Sequence, residues 1–524
     1  MNDSIPVIDL FAGPGGLSEG FTSFSDGKDG TGPFRIAISI ENEPSAHQTL
    51  MLRALYRQFS QDSVPSSYFE FLKGNLGTSP NDELYRLPEL HEAIANAERE
   101  ARRLTLGKNH AAVYKAIRES VGRKDCILIG GPPCQAYSLV GRSRNYGDKE
   151  KNYVATEDPK NYLYKEYLRI VSRFQPLVFV MENVKGMLSA KVGGHSIFEK
   201  IRTDLQDPCK AVSTLPEKGR TKHKYKLFSF VTECGSDLFG RDELAPSDFV
   251  IRSEQFGVPQ SRHRVILLGV RDDVIGKSSP GLLVPSDHPV SVGSVIEDLP
   301  RIRSRLSKEP DSASLWMAAV RAFPKLPVSD TVKQKLKKRV SDALNKLRAP
   351  RADYGAEFGL TRGSSQKIDD VLASWYFEPR LSKAVVNHVG RGHTREDLHR
   401  YLFCAAYAKI YGVSPTSRYF PQSLWPNHKN FGSGHFADRF RVQCNTKPGS
   451  TVTSHISKDG HYYIHPDPTQ CRSLTVREAA RIQTFPDSYF FVGNRTQQYV
   501  QVGNAVPPYL ARQLAKVVFE HLSR

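Results

Sequence analysis

Five short apolar runs set the strongest limit on how this chain can fold: residues 6–11, 35–40, 126–129, 177–181 and 265–269. Each suits a buried strand and is too short for a buried helix, and helical or loop-like sequence separates each from the next. Such alternation implies an α/β chain built on a doubly wound parallel sheet. After residue 271 the rhythm breaks. Residues 272–470 hold few apolar runs and many Pro, Ser, Lys and Arg residues, with a basic helix expected near 331–347; helices expected over 475–484 and 508–521 then restore the earlier style. A chain that leaves a sheet and returns to it implies an inserted domain whose two ends lie close together. The expected division is a first domain over 1–271 with a charged helical insertion at about 50–120, an irregular second domain over 272–470, and a part over 471–524 that completes the first.

The residues at the ends of these strands carry the chemistry. Asp9-Leu10-Phe11-Ala12-Gly13-Pro14-Gly15-Gly16 follows the first strand and opens a helix. Glycines there permit a sharp turn and a close approach to a nucleotide-like ligand, and Glu41, ending the second strand, suits ribose hydroxyls. An ordinary tight turn is the plain alternative, and the spacing does not separate a dinucleotide from S-adenosylmethionine. Gly130-Gly131-Pro132-Pro133-Cys134-Gln135-Ala136-Tyr137-Ser138 follows the third run, where open α/β sheets place ligands. Two prolines fix the backbone before one thiol, as a nucleophile requires. A lone cysteine is most often a packing residue, but this polar, rigid setting speaks against that. Glu182-Asn183-Val184 ends the fourth run, and Gln260-Ser261-Arg262-His263-Arg264 precedes the fifth. Residues 260, 262 and 264 share one face of an extended segment, so two guanidinium groups converge there. Taken singly, each of these is equally a solvated strand end.

Lys and Arg total 73 against 55 Asp and Glu, a formal charge of +18, which favours a polyanionic partner without excluding a merely soluble basic protein. The seven cysteines are scattered and include no C-x-x-C pair, so neither a disulfide scaffold nor a zinc site is expected. No stretch approaches the roughly 18 apolar residues of a membrane span, and no basic leader with a cleavage site opens the sequence. An intracellular protein is expected.

In this order, the motifs resemble the cytosine-5 DNA methyltransferase family. The matching segments are 9–21, Pro132-Pro133-Cys134-Gln135, Asp158-Pro159-Lys160-Asn161-Tyr162-Leu163, Glu182-Asn183-Val184, Gln260-Ser261-Arg262-His263-Arg264, 472–486 and 501–508. The resemblance implies a Rossmann-like S-adenosylmethionine-dependent methyltransferase sheet with an inserted target-recognition domain. It places Phe11, Gly13, Gly15, Glu41, Pro133, Leu163, Asn504 and Val506 at the S-adenosylmethionine pocket. It makes Cys134 the nucleophile and Glu182 the residue that engages cytosine N3, with Arg262 and Arg264 beside the target nucleotide. Gln135, Ser138, Asn183 and Gln260 fall on the substrate side. Thiolate addition at C6 would make C5 nucleophilic, and the base must first leave the duplex stack. No step calls for a metal.

The resemblance further implies double-stranded DNA as substrate, action as a monomer, a prokaryotic cytoplasm and a separately acting cognate restriction endonuclease. A tRNA cytosine-5 methyltransferase and a catalytically silent DNA-binding relative are the alternatives. The size of the 272–470 insert favours duplex DNA, and the intact Cys134, Glu182 and arginines favour an enzyme. In the insert, Arg418-Tyr419-Phe420, His461-Tyr462-Tyr463 and a candidate phosphate-binding turn at Thr451-Val452-Thr453-Ser454-His455 are candidates to face DNA, while the basic run Lys335-Leu336-Lys337-Lys338-Arg339 is more often a solvated helix face than a DNA contact. The long polar loop after Cys134 has the composition of a lid closing on phosphates and, equally, of a disordered solvated loop. One departure stands out: the family's third cofactor motif, an acidic turn against the adenine, has no clear counterpart, Gly74-Asn75-Leu76 being the nearest candidate.

Overall fold

The five apolar runs become the middle of one eight-stranded sheet in a computed structural model that describes residues 4–26, 32–133, 163–192, 194–234, 244–276, 279–326, 333–362, 369–427 and 438–523. Ile5–Leu10 (β1) lies between Phe34–Glu41 (β2) and Ile127–Gly130 (β4). Ala101–Arg103 (β3) extends the β2 side and Val178–Val184 (β5) the β4 side, all in parallel. A small hairpin, Lys191–Val192 (β6) with His195–Ser196 (β7), stands apart. Beyond β5 the direction reverses. His263–Arg271 (β11), which comes after the two-residue strand Gln260–Ser261 (β10), runs antiparallel to β5; its other edge takes Tyr225–Phe228 (β8) and Val250–Arg252 (β9), also antiparallel. The sheet is therefore mixed where the alternation implied a parallel one. A run buried on both faces reads the same in either direction.

Apolar side chains fill both faces. Ile8, Leu10, Ile38, Leu128 and Phe179 pack under α6 (His110–Val121) and α7 (Leu163–Phe174). Val7, Ile36, Ile129, Val180 and Ile266 pack under α1 (Gly16–Ser23) and the helix Pro508–Leu522. The last two helices approach closely because Gly20 lacks a side chain: a Cβ there would stand 2.3 Å from that of Ala511.

Between β2 and β3 the chain forms α2 (Pro44–Arg57), α3 (Ser66–Leu72), α4 (Pro80–Leu84) and α5 (His91–Glu100). Pro44 at the first turn and the Glu43 carboxylate on Ala46 N (2.7 Å) start α2. The expected helical insertion thus contains a strand, β3, whose Ala-Arg-Arg sequence is too short and charged to read as one. These helices share a core with Leu381, Val386 and Phe490. Arg380 lies 4.5 Å over the Phe69 ring, and Tyr56 donates to Glu378 (3.1 Å).

The second region is built on helices Ala313–Arg321, Gln334–Asn345 and Arg395–Tyr411 around Trp316, Leu336, Val340, Tyr401 and Phe403. Its named strands are two residues long. A further core joins Val290–Leu299 side chains and Tyr376 to Leu474, Val476, Ile482, Phe485 and Tyr499. The expected boundary at residue 470 therefore runs through shared packing, and the helix Pro508–Leu522 is the part that returns to the sheet. Among the described residues no helix is long and apolar enough to cross a membrane.

Candidate active site

The parallel strands deliver their loops to one edge. At the end of β1, Phe11 and Gly13 both turn through left-handed conformations (φ 56° at each). A side chain at Gly13 would point into open space, whereas one at Gly15 would meet Leu50 and the Tyr489 hydroxyl at 2.9 Å, and one at Gly16 the Val506 carbonyl at 2.3 Å. Gly13 therefore borders open space. Gly15, expected at the cofactor, instead serves packing at the start of α1. Glu41 closes the turn: its carboxylate accepts from Gly13 N (2.8 Å), Asn42 N (2.8 Å) and Glu43 N (2.7 Å). Phe11 is half-buried and Asn504 exposed, while Val506 is mostly buried and Leu163 opens α7 half-buried.

Beneath this loop lies Asp9, fully buried between Ser39 on β2 and Ile129 on β4. Burial raises its carboxyl to about 7, and neither oxygen has a hydrogen-bond partner among the described residues. Sequence reasoning placed Asp9 within the buried run 6–11 but gave it no part in the site, because spacing alone does not show whether a strand carboxyl finds a partner.

At the end of β4, a Cβ on Gly131 would stand 3.0 Å from Glu182 Oε2, so glycine is what lets the Gly-Gly-Pro-Pro loop lie against that carboxylate. Asn183 Nδ2 donates to Pro132 O (3.2 Å) from the buried side. Asn183 thus holds the loop rather than facing a substrate. Cys134, Gln135 and Ser138, one to five residues beyond Pro133, lie outside the described residues, as does the cationic loop that comes after them. The buried Cys126, Cys404, Cys444 and Cys471 have no such polar setting, and burial pushes the Cys126 thiol up to about 12.

Register explains the next contact. Ile266 pairs with Glu182 and Arg264 with Val184, so Glu182 and Arg264 are diagonal neighbours on one face. Arg264 Nε stands 2.9 Å from Glu182 Oε1. Arg262 takes a different place from the one expected. The break between β10 and β11 turns it inward, where it is 1% exposed, and its guanidinium donates to Val452 O (2.7 Å) and twice to Gly503 O (3.3 Å). Burial, helped by neighbouring Arg264, pushes its pKa down, and no carboxylate pairs with it among the described residues.

Gln260 is likewise fully buried. Its amide binds Gln483, Ile482 O (3.1 Å) and Val452 N (2.9 Å), and Thr451 donates to Ser261 O (2.6 Å). Gln260, expected to touch DNA, is a link between chain segments. Arg262 is a clamp joining the 449–453 segment to the C-terminal end of the helix Arg495–Asn504, not a second guanidinium beside the target. The threonine hydroxyls of the expected phosphate-binding turn are also committed, Thr451 to Ser261 O and Thr453 to the Tyr463 hydroxyl (2.9 Å). His461 and Tyr463 are buried, and Lys335, Lys337, Lys338 and Arg339 occupy the solvent face of their helix. Gly74 packs against Phe358 rather than at the strand ends.

The structure thus gathers Gly131–Pro133, Glu182 and Arg264 at one place, with Phe11, Gly13, Glu41 and Asn504 along the same edge. A family model for the C-5 cytosine-specific DNA methylase matches residues 108–208 and 248–520. The type II methyltransferase M.Bpa9945I of Bacillus paralicheniformis is 32% identical over 532 residues, covering 98% of either chain. The type II methyltransferase M.AgeI of Thalassovita gelatinovora is 27% identical over 430 residues, covering 77% of this chain and 86% of that one. Among solved structures, a DNA modification methyltransferase encoded within an E. coli prophage shares the fold, with a TM-score of 0.52 and 18% identity over 99% of this chain and 100% of that one.

Proposed function

Because the chain belongs to the C-5 cytosine-specific DNA methylase family, and so is a DNA (cytosine-5)-methyltransferase, we propose that it methylates a flipped-out cytosine through a covalent Cys134–C6 bond within one specific sequence of double-stranded DNA. The family implies DNA as substrate and S-adenosyl-L-methionine as methyl donor. The strand-end residues fit that donor: open space at Gly13, a carboxylate at Glu41 and a half-exposed Phe11 ring lie side by side. Pro133, Leu163, Asn504 and Val506 would complete its surroundings. When bound, S-adenosyl-L-methionine supplies an electrophilic methyl group.

This chain's residues supply the rest. The Cys134 thiolate adds to C6, and the displaced electron pair moves through the ring toward N3. Glu182 donates or shares a proton at N3 as that charge develops. C5, now an enamine carbon, takes the methyl group. A base then removes the C5 proton, the C6–S bond breaks, and the thiolate and the N3 proton return. Arg264 holds the Glu182 carboxylate in place and keeps further N–H donors for the target nucleotide. The observation that carries this reading is the Glu182–Arg264 pair set against the Gly131-Pro132-Pro133 loop, one peptide from Cys134.

We place the enzyme in a prokaryotic cytoplasm, acting as a monomer on DNA, with a cognate restriction endonuclease acting separately. The test is a duplex bearing 5-fluorocytosine at the methylated position, which bisulfite sequencing of DNA from expressing cells identifies. With methyl donor, the wild-type chain should form a covalent adduct that Cys134→Ser does not. Glu182→Gln should bind DNA yet lose at least two orders of magnitude in turnover, on the scale of removing a charge-stabilising group. Absence of the wild-type adduct, or methylation of tRNA in preference to duplex DNA, refutes the proposal.

A further inference from the structure

The strand ends stand in the order β5, β4, β1, β2, β3 along the sheet edge, and the proposed chemistry sits at β4 and β5. A nucleoside whose ribose meets Glu41 at β2 must therefore project its base toward β2 and β3, away from Glu182. The residues just beyond the ends of β2 and β3 are then the ones placed to read that base. The two strands run in register from Ser39–Ala101 to Glu41–Arg103, so Asn42 and the segment starting at Leu104 emerge together. There Thr105 Oγ1 donates to Asn42 Oδ1 at 2.6 Å. Asn42 is exposed and Thr105 half-buried, and Asn42 Nδ2 makes no hydrogen bond among the described residues. Neither Asn42 nor Thr105 is acidic, and no other carboxylate than Glu41 is contributed by residues 41–42 or 101–107.

We propose that Asn42, oriented by Thr105, reads the adenine of the methyl donor through its N6 and N7 edge, in place of an acidic turn. The proposal rests on the cofactor site described above. A carboxamide offers one donor and one acceptor in a plane, matching the N7 acceptor and N6 amino donor of adenine. Thr105 occupies one lone pair of Oδ1 and so fixes which edge of the carboxamide faces outward; Oδ1 keeps its second lone pair for the N6 amino group, and Nδ2 serves N7. Glu41, engaged by three backbone amides, stays the ribose partner on the adjoining strand.

The test is calorimetric binding of S-adenosyl-L-homocysteine and its 7-deaza analogue, in which a C–H replaces N7, to the full chain. The wild-type protein should bind the natural nucleoside about tenfold more tightly, on the scale of a lost base-edge contact. Asn42→Ala should lose that preference, weakening the natural ligand while leaving the 7-deaza analogue nearly unchanged. Thr105→Val, which keeps the shape and removes the hydroxyl, should fall between. Unchanged discrimination in Asn42→Ala, or equal weakening of both ligands, overturns the role of Asn42 and leaves the cofactor site standing. Failure of the wild-type chain to bind either ligand removes the cofactor site and this proposal together.

Discussion

Arg481 is fully buried between two carboxylates whose side chains are each 3% exposed, Asp298 and Asp487. Its guanidinium reaches Asp487 at 2.5 and 2.7 Å and Asp298 at 3.3 and 3.2 Å, and also donates to Val295 O (3.0 Å). Arg362 holds the same two acids from the other side, 3.1 Å from Asp298 and bonded to Asp487. Arg481→Met keeps the volume and removes the charge, so one cation would face two anions. A pair about 4 Å apart at an effective dielectric near 20 is worth roughly 4 kcal/mol. Breaking a buried pair from one side costs about 3–5 kcal/mol, because the partner stays uncompensated.

We therefore expect Arg481→Met to lose about 4 kcal/mol of unfolding free energy at pH 7. Its pH dependence has a definite sign. Burial alone would raise the Asp487 carboxyl; Arg481 overrides that and holds it below the ordinary range. In the wild type its stabilisation is present above the unfolded aspartate value and is lost as pH falls through the lowered one. In the variant burial prevails and one acid takes a proton, so the deficit should shrink from pH 7 toward pH 5. Urea unfolding followed by tryptophan fluorescence reads this directly, since Trp375 donates to Thr484 O (2.7 Å) just beyond the helix Val476–Ile482 that carries Arg481. A deficit under about 1 kcal/mol, the scale of an exposed pair, or one that does not vary with pH, would refute the reasoning.

Two more outcomes turn on single atoms. The Asp9 carboxyl rises from 3.8 to about 7, so its contribution is intact below pH 4 and is lost as pH climbs through 7. Asp9→Asn should flatten that decline, gaining on the wild type between pH 5 and pH 8 in thermal midpoint; parallel profiles would show the carboxyl is not buried neutral. A Cβ at Gly503 would lie 2.3 Å from the Thr453 carbonyl carbon. Gly503→Ala should therefore destabilise by about 1–3 kcal/mol, despite the gain of about 1 kcal/mol in helix propensity, and weaken methyl-donor and DNA binding together. An alanine variant that melts at or above the wild-type temperature would contradict the close approach.

The strands around the site were legible because burial on two faces leaves largely apolar runs, and the loops at their ends were legible because glycine and proline punctuate them. Direction was not: nothing within Val265-Ile266-Leu267-Leu268 tells that β5 runs the opposite way. Nor was the fate of the arginines. Arg262, Arg472, Arg477 and Arg481 look like cations for a nucleic acid in one dimension, yet they are almost completely buried, and each has at least one partner far away in the chain: Val452 O for Arg262, Ile302 O for Arg472, Val386 O for Arg477 and Asp298 for Arg481. Long-range partners decide whether such a side chain faces water, and spacing carries no record of them. Glu182 was legible as a carboxylate at a strand end, but its pairing with Arg264 needed the register. The weakest reading, at Gly74, failed because the helices between β2 and β3 carry that segment against Phe358.

The packing of α2 and α3 against Phe358, Leu381 and Val386 has a bearing on how such enzymes diversify. Two excursions from the sheet, far apart in sequence, have become halves of one fitted joint. A chimera that imported a relative's 279–470 segment alone would leave Phe69, Phe71 and Leu72 facing an uncut surface. Exchange of that segment is constrained to carry residues 44–100 with it, or to spare the seam they share.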